Sequence, residues 1–300
     1  MNKIKMGALL VGVMLFMVTL TSCGEKQEMK LVNEQTFTPS EVSSIRIDYD
    51  NDDITLLESA TADIVLKEYM DIDKGTYYAR IENKNGELSI SEGQRPSGNR
   101  LGCYVELYLP ADYEADVAVH TTESTLKTQI GHSLAALRTD TTHGTLEITG
   151  IKARTVSVSS ANGAAAISNV EADTISFNTT NAAVNADNVH GAIQYTTSNG
   201  KLILTAAYGF GTFEATSDGT IDITFAEITG DVKATAKNSD ILFTAPEDTA
   251  FHFVASSRNG SIDASYDGVA VSSGQATGDV GDNPHFTVEL DARNGNIEAK

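Results

Sequence analysis

The chain has 300 residues, 41 of them acidic and 21 basic, and its formal net charge is −20. This charge argues against nucleic-acid binding, which depends on neutralising phosphates, and against docking on anionic lipid. The 24 glycines, with many Thr, Ser and Asn residues between short apolar pairs, indicate an all-β protein with many tight turns.

Residues 1–22 have the pattern of an export signal. Lys3 and Lys5 precede an apolar run over residues 6–20 that is shorter than a typical transmembrane helix. The run ends in Leu20-Thr21-Ser22-Cys23, which resembles the cleavage box of bacterial lipoproteins. An ordinary cleaved signal or an uncleaved anchor is the alternative interpretation.

The lipoprotein pattern predicts the location of the mature chain. Cys23 would become the N-terminus and carry the lipid, whose acyl chains anchor a protein essentially permanently. Residues 23–30 would form a tether. Gly24 is not the aspartate that retains some lipoproteins at the inner membrane. We therefore expect a lipid-anchored protein of the cell envelope, in the outer membrane of a Gram-negative bacterium, facing either the periplasm or the surface.

Residues 31–110 are predicted to form an N-terminal cap and irregular first coils. Apolar pairs flank polar turns at Asn51-Asp52 and Asn85-Gly86, and residues 31–42 are expected to cover an open end of the fold. Cys103 alternates in phase with apolar neighbours, which predicts a buried structural thiol on a strand.

Residues 111–300 contain a repeated unit. A polar turn recurs every 18–21 residues, with alternating apolar residues on both sides. The turns lie at Glu123-Ser124, His143-Gly144, Asn162-Gly163, Asn181-Ala182, Asn199-Gly200, Asp218-Gly219, Asn238-Ser239 and Asn259-Gly260. The alternation indicates strands, and the longer period indicates units that bury a core only by stacking. A last copy at Asn294-Gly295 follows a longer gap, which predicts an insertion near 267–284.

Two arrangements fit this repeat. Asn-Gly turns are typical of β-hairpins, so a meander of hairpins is one of them. The other is a parallel, β-helix-like solenoid with coils of about 19 residues. Further turn glycines at Gly150, Gly191 and Gly230 complete a circuit in each unit, and stacking in register aligns Asn on Asn. These two points favour the solenoid.

The lead-in to the repeats also suggests a family. Residues 107–119 read LYLPADYEADVAV and are followed by units of the form x-Ser/Thr-x-Asn-Gly-x-Ile-x-Ile. Over residues 40–300 the chain resembles the bacterial β-strand-repeat family named "putative adhesin", which is related to autotransporter-adhesin head domains. The resemblance implies a β-solenoid with a binding role, and it carries over no catalytic residues.

The corner asparagines are predicted to stack as a ladder with a spacing of about 4.8 Å. Its members are Asn162, Asn181, Asn199, Asn238 and Asn259. We interpret the ladder as structural, because turns already favour asparagine, and a ligand-binding row is the alternative. Asn181 and Asn238 lack a following glycine, so they are expected to adopt the left-handed backbone conformation.

Ser/Thr runs before the corners predict a stripe along one face of the stack. Thr141, Thr180, Thr197 and Ser217 are its candidate contact residues, with a glycan or a protein as ligand. A solvated face with hydroxyl pairs between strands is the alternative. We expect no metal or cofactor, because the histidines are scattered and the acidic run 48–53 lacks the Gly and Glu of a calcium loop.

These features together predict a non-enzymatic, lipid-anchored binding or adhesion surface. A polysaccharide-acting enzyme on a β-helix scaffold is the first alternative, and an envelope scaffold or sensor is the second. An enzyme of that kind would need acids and cations gathered in a groove. Here the cations are scattered and the acids fall on turns.

Overall fold

A computed structural model of the chain describes residues 29–96 and 101–300. The predicted signal peptide, residues 1–22, and the lipid-attachment residue Cys23 lie outside the described residues. Within them the secondary structure is strand, apart from two short 3₁₀ helices at Pro39–Glu41 and Gly75–Tyr77. Neither helix has the length and apolar character needed to cross a membrane. The all-β prediction is confirmed.

The strands fall into three groups along the chain. The N-terminal strands are β1 (Lys30–Phe37), β2 (Ser44–Tyr49), β3 (Asp53–Glu58), β4 (Ile64–Met70), β5 (Arg80–Lys84), β6 (Glu87–Ser91) and β7 (Cys103–Leu109). The central strands are β8 (Asp116–Thr121), β9 (Thr125–Gln129), β10 (Ser133–Thr141), β11 (Thr145–Thr149), β12 (Lys152–Ser160), β13 (Ala165–Thr179), β14 (Ala183–Thr197), β15 (Lys201–Ala215), β16 (Ile221–Ala236) and β17 (Ile241–Thr244). The C-terminal strands are β18 (Phe251–Ser257), β19 (Ile262–Ala264), β20 (Val269–Ser272), β21 (Gln275–Val280), β22 (Thr287–Ala292) and β23 (Ile297–Ala299).

Each central coil has one strand before its polar corner and one after it, and both pair in parallel with the next coil. Val156 lies beside Ile175, which in turn lies beside Ile193. After the corner, Ala165 lies beside Val184. These steps of 18–19 residues are the period expected from the sequence. Parallel pairing in register confirms the β-solenoid and rules out the hairpin meander for this region.

The apolar residue of each alternating pair points into one continuous core. Ile175 and Ile193 from strands before the corner, and Leu202 from a strand after it, are fully buried. Each such side chain stabilises the fold by about 1.5–3 kcal/mol relative to an exposed one. Towards the C-terminal end the core becomes aromatic, with the rings of Phe213 and Phe243 both packing within 6.4 Å of Phe225. The inward face is therefore the one that the alternation predicts.

The second bend of the coil uses the left-handed backbone region. Asn169, Asn188 and Ala206 occupy equivalent positions there, with φ values of 53°, 52° and 49°. This bend lies inside β13, β14 and β15, so each of these strands continues through it without a break. Asn188 Nδ2 also donates to Asn169 Oδ1 at 2.7 Å, which links neighbouring bends.

The expectation that Asn181 and Asn238 would be left-handed is wrong, because the described left-handed residues do not include them. Where the polar corner does contain glycine, the reason is a different one. A Cβ added to Gly163 would overlap the carbonyl oxygen of Gly144 in the neighbouring coil. Glycine at this corner therefore permits a close approach of backbones and does not supply a positive φ.

At the N-terminal end, the first coil (β2 and β3) lies between two later segments of the chain, because β6 and β7 pair in parallel with β2 and β3 on its outer side. β2 pairs in parallel with β8, and β3 pairs in parallel with β9. The intervening residues, 64–109, lie outside this coil and cover it. β5 is antiparallel to β6, β4 is antiparallel to β7, and β1 is antiparallel to β4 as the outermost strand. Residues 31–42, predicted as a cap, thus include most of an edge strand.

At the C-terminal end, the last coil in sequence is not the last coil in space. β22 lies between β16 and β18, and β23 lies between β17 and β19. Residues 267–284, predicted as an insertion, contain the hairpin of β20 and β21. β21 pairs antiparallel with β18 and covers the edge of its strand column.

Candidate binding surface

The predicted asparagines lie at one corner of successive coils and are joined by hydrogen bonds between side chains. Asn181 Nδ2 donates to Asn162 Oδ1 at 2.8 Å, and Asn199 Nδ2 donates to Asn181 Oδ1 at 2.9 Å. Each amide thus donates to one neighbour and can accept from the next. An amide in such a row stabilises the corner, with a typical net contribution of about 1 kcal/mol for each bond.

The same row continues to the C-terminal end, but its order differs from the sequence. Asn238 Nδ2 donates to Asp218 Oδ1 at 3.1 Å, and Asn294 Nδ2 donates to Asn238 Oδ1 at 2.7 Å. Asn259 Nδ2 then donates to Asn294 Oδ1 at 2.7 Å. Asn294 thus separates Asn238 from Asn259, because the last coil of the chain is inserted between theirs.

Two of the four candidate contact residues do not face solvent. Thr141 and Thr197 have only 2% and 1% of their surface exposed. Their hydroxyl oxygens accept hydrogen bonds from the backbone N–H groups of Gly144 and Gly200, at 2.9 and 2.8 Å. These threonines therefore hold the corner from inside the coil. Their assignment to a binding surface is wrong, because they lie in the inward register of their strands.

The other two candidates lie one and two residues beyond the inward position of their strands, which is Thr179 for Thr180 and Ala215 for Ser217, and they face outward. Thr180 is exposed and Ser217 is half-buried. Both belong to a row of residues that directly precede the corner Asn, Asp or His. We call this row the corner column, and in spatial order it consists of Thr142, Ala161, Thr180, Ser198, Ser217, Lys237, Arg293 and Arg258.

Backbone hydrogen bonds define the order of the corner column. The N–H of each corner residue donates to the carbonyl oxygen of the column member one coil away. Asn199 N donates to Thr180 O at 2.7 Å, and Asn294 N donates to Lys237 O at 2.9 Å. Asn259 N likewise donates to Arg293 O at 3.1 Å. The column members are therefore about 4.8 Å apart, the spacing of neighbouring strands.

The three cations of the column were missed by the sequence analysis. Lys237, Arg258 and Arg293 each directly precede an asparagine, so the last three repeats share a cation-Asn pair. That signal was present, but the gap before the final repeat concealed that the three residues are neighbours.

A shallow hollow of about 360 Å³ lies on the outer face near the N-terminal end. Ala118 forms part of its floor, between Arg46 and Arg138 on the flanking coils. Arg138 Nη1 is 3.1 Å from Asp116 Oδ2, whereas Arg46 Nη2 is 3.9 Å from Asp48 Oδ2. The ion pair of Arg138 is therefore the closer of the two. Acids near both arginines already offset their charge.

A second charged cluster is buried in the N-terminal cap. Arg95 forms an ion pair with Asp52 and lies 3.3 Å from Glu92. Burial raises the pKa of Glu92 above its ordinary value, and it raises the pKa of the Cys103 thiol more strongly. Glu92 Oε2 also accepts hydrogen bonds from the backbone N–H groups of Asp50 and Asn51. These contacts hold the cap together and leave the carboxylates enclosed.

The acidic run 48–53 is divided among different structural contacts. Asp52 pairs with Arg95, and Asp53 Oδ1 accepts a hydrogen bond from Thr125 N at 2.8 Å. Asp50 Oδ1 accepts one from Thr122 Oγ1 at 2.7 Å. Within residues 29–96 and 101–300, no three His, Cys, Asp or Glu side chains are grouped so that they could hold a metal ion.

Comparison with known proteins places this fold. The sequence model of the family described as Toastrack DUF4097 matches residues 42–300. The chain is similar to a solved "putative adhesin" from Parabacteroides merdae ATCC 43184, with 10% identity, a TM-score of 0.40 and coverage of 89% of this chain and 95% of that chain. It is also similar to a solved "putative cell adhesion protein" from Clostridium sporogenes ATCC 15579, with 12% identity, a TM-score of 0.29 and coverage of 91% and 100%. No curated protein matched the chain. Since the family match extends from the first coil to the last residue, the chain belongs to the Toastrack family of β-solenoid proteins.

Proposed function

We propose that the protein is a non-catalytic binding protein of the cell envelope, anchored by a lipid on Cys23, that binds a glycan or a protein ligand along the corner column. The observation that carries the proposal is the column itself. It presents an outward row of mostly polar side chains at one corner of a continuous scaffold. With eight members about 4.8 Å apart, it is roughly 34 Å long.

The scaffold supports binding by many small contacts. Backbone hydrogen bonds tie each corner to the next, and the asparagine ladder runs beside the column. The spacing of the column members is therefore set before a ligand arrives, which lowers the entropy cost of binding. Hydroxyl groups at Thr180, Ser198 and Ser217 can both donate and accept hydrogen bonds. Such a row suits an extended ligand.

The proposed lipid anchor would orient the corner column relative to the membrane. β1 is the outermost strand at the N-terminal end, and its first residue is Lys30. A lipid on Cys23 would attach the stack to the membrane at that end. The C-terminal end would then point away from the membrane, and the column would run between the two ends.

An array of glycans and matrix proteins tests the proposal. We expect the mature chain to bind at least one of these ligands, and we expect Thr180→Ala, Ser198→Ala and Ser217→Ala together to weaken binding. A matched control replaces three hydroxyl residues on the strands after the corner, Thr145, Thr205 and Thr224, by alanine. Equal loss of binding in the two triple variants, or no loss in either, would show that the column is not the contact surface.

A further inference from the structure

We propose that the C-terminal end of the corner column, formed by Lys237, Arg293 and Arg258, binds an acidic glycan through its carboxylate or sulfate groups. The inference rests on the proposed function and deepens it, because it names a ligand class and a place on the column. It starts from three neighbouring cations that have no ion-pair partner among the described residues.

The three cations are neighbours in space although they are far apart in sequence. Asn294 N donates to Lys237 O, and Asn259 N donates to Arg293 O, so the three residues lie on three consecutive coils. All three side chains are exposed. Like charges on neighbouring strands repel one another. Three neighbouring cations therefore cost electrostatic free energy, and a bound anionic ligand would offset that cost.

The cations of this group are not held in ion pairs. Among the described residues, no carboxylate forms an ion pair with Lys237, Arg293 or Arg258. Other exposed cations of the stack do have such partners: Lys152 Nζ is 3.0 Å from Glu171 Oε2, and Lys233 Nζ is 2.9 Å from Glu289 Oε1. In a chain with a net charge of −20, three adjacent unpaired cations are the exception.

The two arginines border a polar cleft of about 450 Å³. Its opposite wall is the turn at Ser273 and Gly274, between β20 and β21. Ser257 N donates to Gly274 O at 2.8 Å, so the turn is fastened to the corner that carries Arg258. The cleft is therefore built by two segments that are fixed to each other, and its shape is set in the absence of a ligand.

The rest of the lining can recognise sugar hydroxyl groups. Ser256, Gln275 and Asp291 lie in the same cleft, and Ser256 Oγ donates to Asp291 Oδ1 at 3.0 Å. The lining thus combines hydroxyl, amide and carboxylate groups with two guanidinium groups. The planar guanidinium of arginine binds a carboxylate or a sulfate through two parallel hydrogen bonds. This combination fits a ligand that carries both neutral hydroxyls and acid groups.

A second hollow extends the site along the column. It has a volume of about 270 Å³, is lined by Lys237, Glu214, Thr216 and Thr235, and shares Arg293 and Asp291 with the first cleft. The two spaces are therefore adjacent and follow the stacking direction. A linear chain ligand could occupy both and contact all three cations.

The lining argues against nucleic acid as the ligand. Duplex DNA carries one negative charge per 1.7 Å or so of its axis, and it would be repelled by the acidic surface around the site. The lining residues of both hollows include no aromatic side chain on which a base could stack. A glycan with more widely spaced charges is repelled less by that surface, and it needs no aromatic side chain for base stacking.

The test measures binding of labelled oligosaccharides to the mature full-length chain in detergent. The probes are a polygalacturonate oligosaccharide, which carries carboxylates, a heparin-derived oligosaccharide, which carries sulfates as well, and a neutral dextran of equal length. We expect an acidic probe to bind, dextran not to bind at this site, and affinity to fall as salt is raised. The variant Lys237→Gln, Arg293→Gln, Arg258→Gln should lose affinity about tenfold or more, equivalent to about 1.4 kcal/mol.

The control variant removes three other exposed cations, by Lys30→Gln, Arg154→Gln and Lys201→Gln, and has the same net charge. An equal loss of affinity in this control would overturn the inference, because total charge alone would then explain binding. A DNA duplex that competes as well as the acidic probes would overturn the glycan assignment. If neither acidic probe binds, the inference is wrong, while binding of a neutral glycan or a protein in the array would leave the proposed function standing. No binding to any of these ligands would contradict both.

Discussion

The position of the last coil can be tested by truncating one buried side chain, Leu290. This residue lies in β22 with 1% of its surface exposed. Its neighbours in register are Ala234 on one side and Ala255 on the other. Replacing Leu290 by alanine removes three carbon atoms from a site between two coils. The two alanines are too short to fill the space that is left.

The cost follows from these contacts. Three buried carbons at about 0.8 kcal/mol each give about 2.4 kcal/mol for the lost transfer free energy. The unfilled cavity adds to this, so we expect Leu290→Ala to destabilise the chain by about 3–5 kcal/mol, in the upper part of the range for such changes. Glu289→Ala is the matched control. Glu289 forms a half-exposed ion pair with Lys233, and its loss should cost less than about 1 kcal/mol.

Urea unfolding measures the loss of stability, and amide hydrogen exchange shows where it occurs. Because an interior coil supports both of its neighbours, Leu290→Ala should increase exchange in residues 251–280 as well as in 286–299. A stack in sequence order would place residues 286–299 at a free end. Increased exchange confined to those residues, or a destabilisation below about 1 kcal/mol, would refute the inserted coil.

Three further predictions concern the core, one histidine and the anchor. Ile175→Ala and Ile193→Ala should each lower the free energy of unfolding by about 2–5 kcal/mol, and Asn181→Ala, which removes two ladder hydrogen bonds, by about 1–2 kcal/mol. Urea midpoints unchanged by the isoleucine variants would show that the inward face is misassigned. Burial lowers the pKa of His132 below its ordinary value of 6.5, so the unfolded chain binds more protons than the folded chain and stability should fall as the pH drops through and below 6.5. Urea midpoints measured from pH 7.5 to 5.5 should therefore show a flatter profile for His132→Gln, and parallel profiles would contradict this role. Cys23→Ser should release the protein from membranes in detergent phase partition, because the lipid is the proposed anchor, and persistent membrane retention would contradict lipid attachment at that residue.

The solenoid and its inward face could be predicted from the sequence, because both depend on neighbouring residues. Alternation such as Val156-x-Val158 places two side chains on one face of a strand, whatever that strand later pairs with. A unit of 19 or so residues with so few apolar side chains buries them only by stacking on a copy of itself. The corner asparagines follow in the same way, since identical units stacked in register bring identical positions together.

The proposed binding surface depends on the register of the strands, which the sequence specifies less sharply than the alternation. Thr180 and Thr197 both lie in Ser/Thr runs before a corner, yet Thr180 faces outward and Thr197 is buried. A shift of one residue moves a side chain to the opposite face of a strand. The repeat length varies from 18 to 21 residues, so the repeat by itself does not define that register. In the structure, the backbone hydrogen bond from Asn199 N to Thr180 O fixes it.

The order of the coils was decided only by tertiary structure. The backbone hydrogen bonds are the same for every parallel pair of strands, so β16 can pair with β22 as readily as with β18. The choice depends on the insertion before β22, whose strand β21 occupies the other edge of β18 and leaves the last coil to fill the space between β16 and β18. That arrangement brings Lys237, Arg293 and Arg258 onto consecutive coils, although 56 residues separate the first two in the chain.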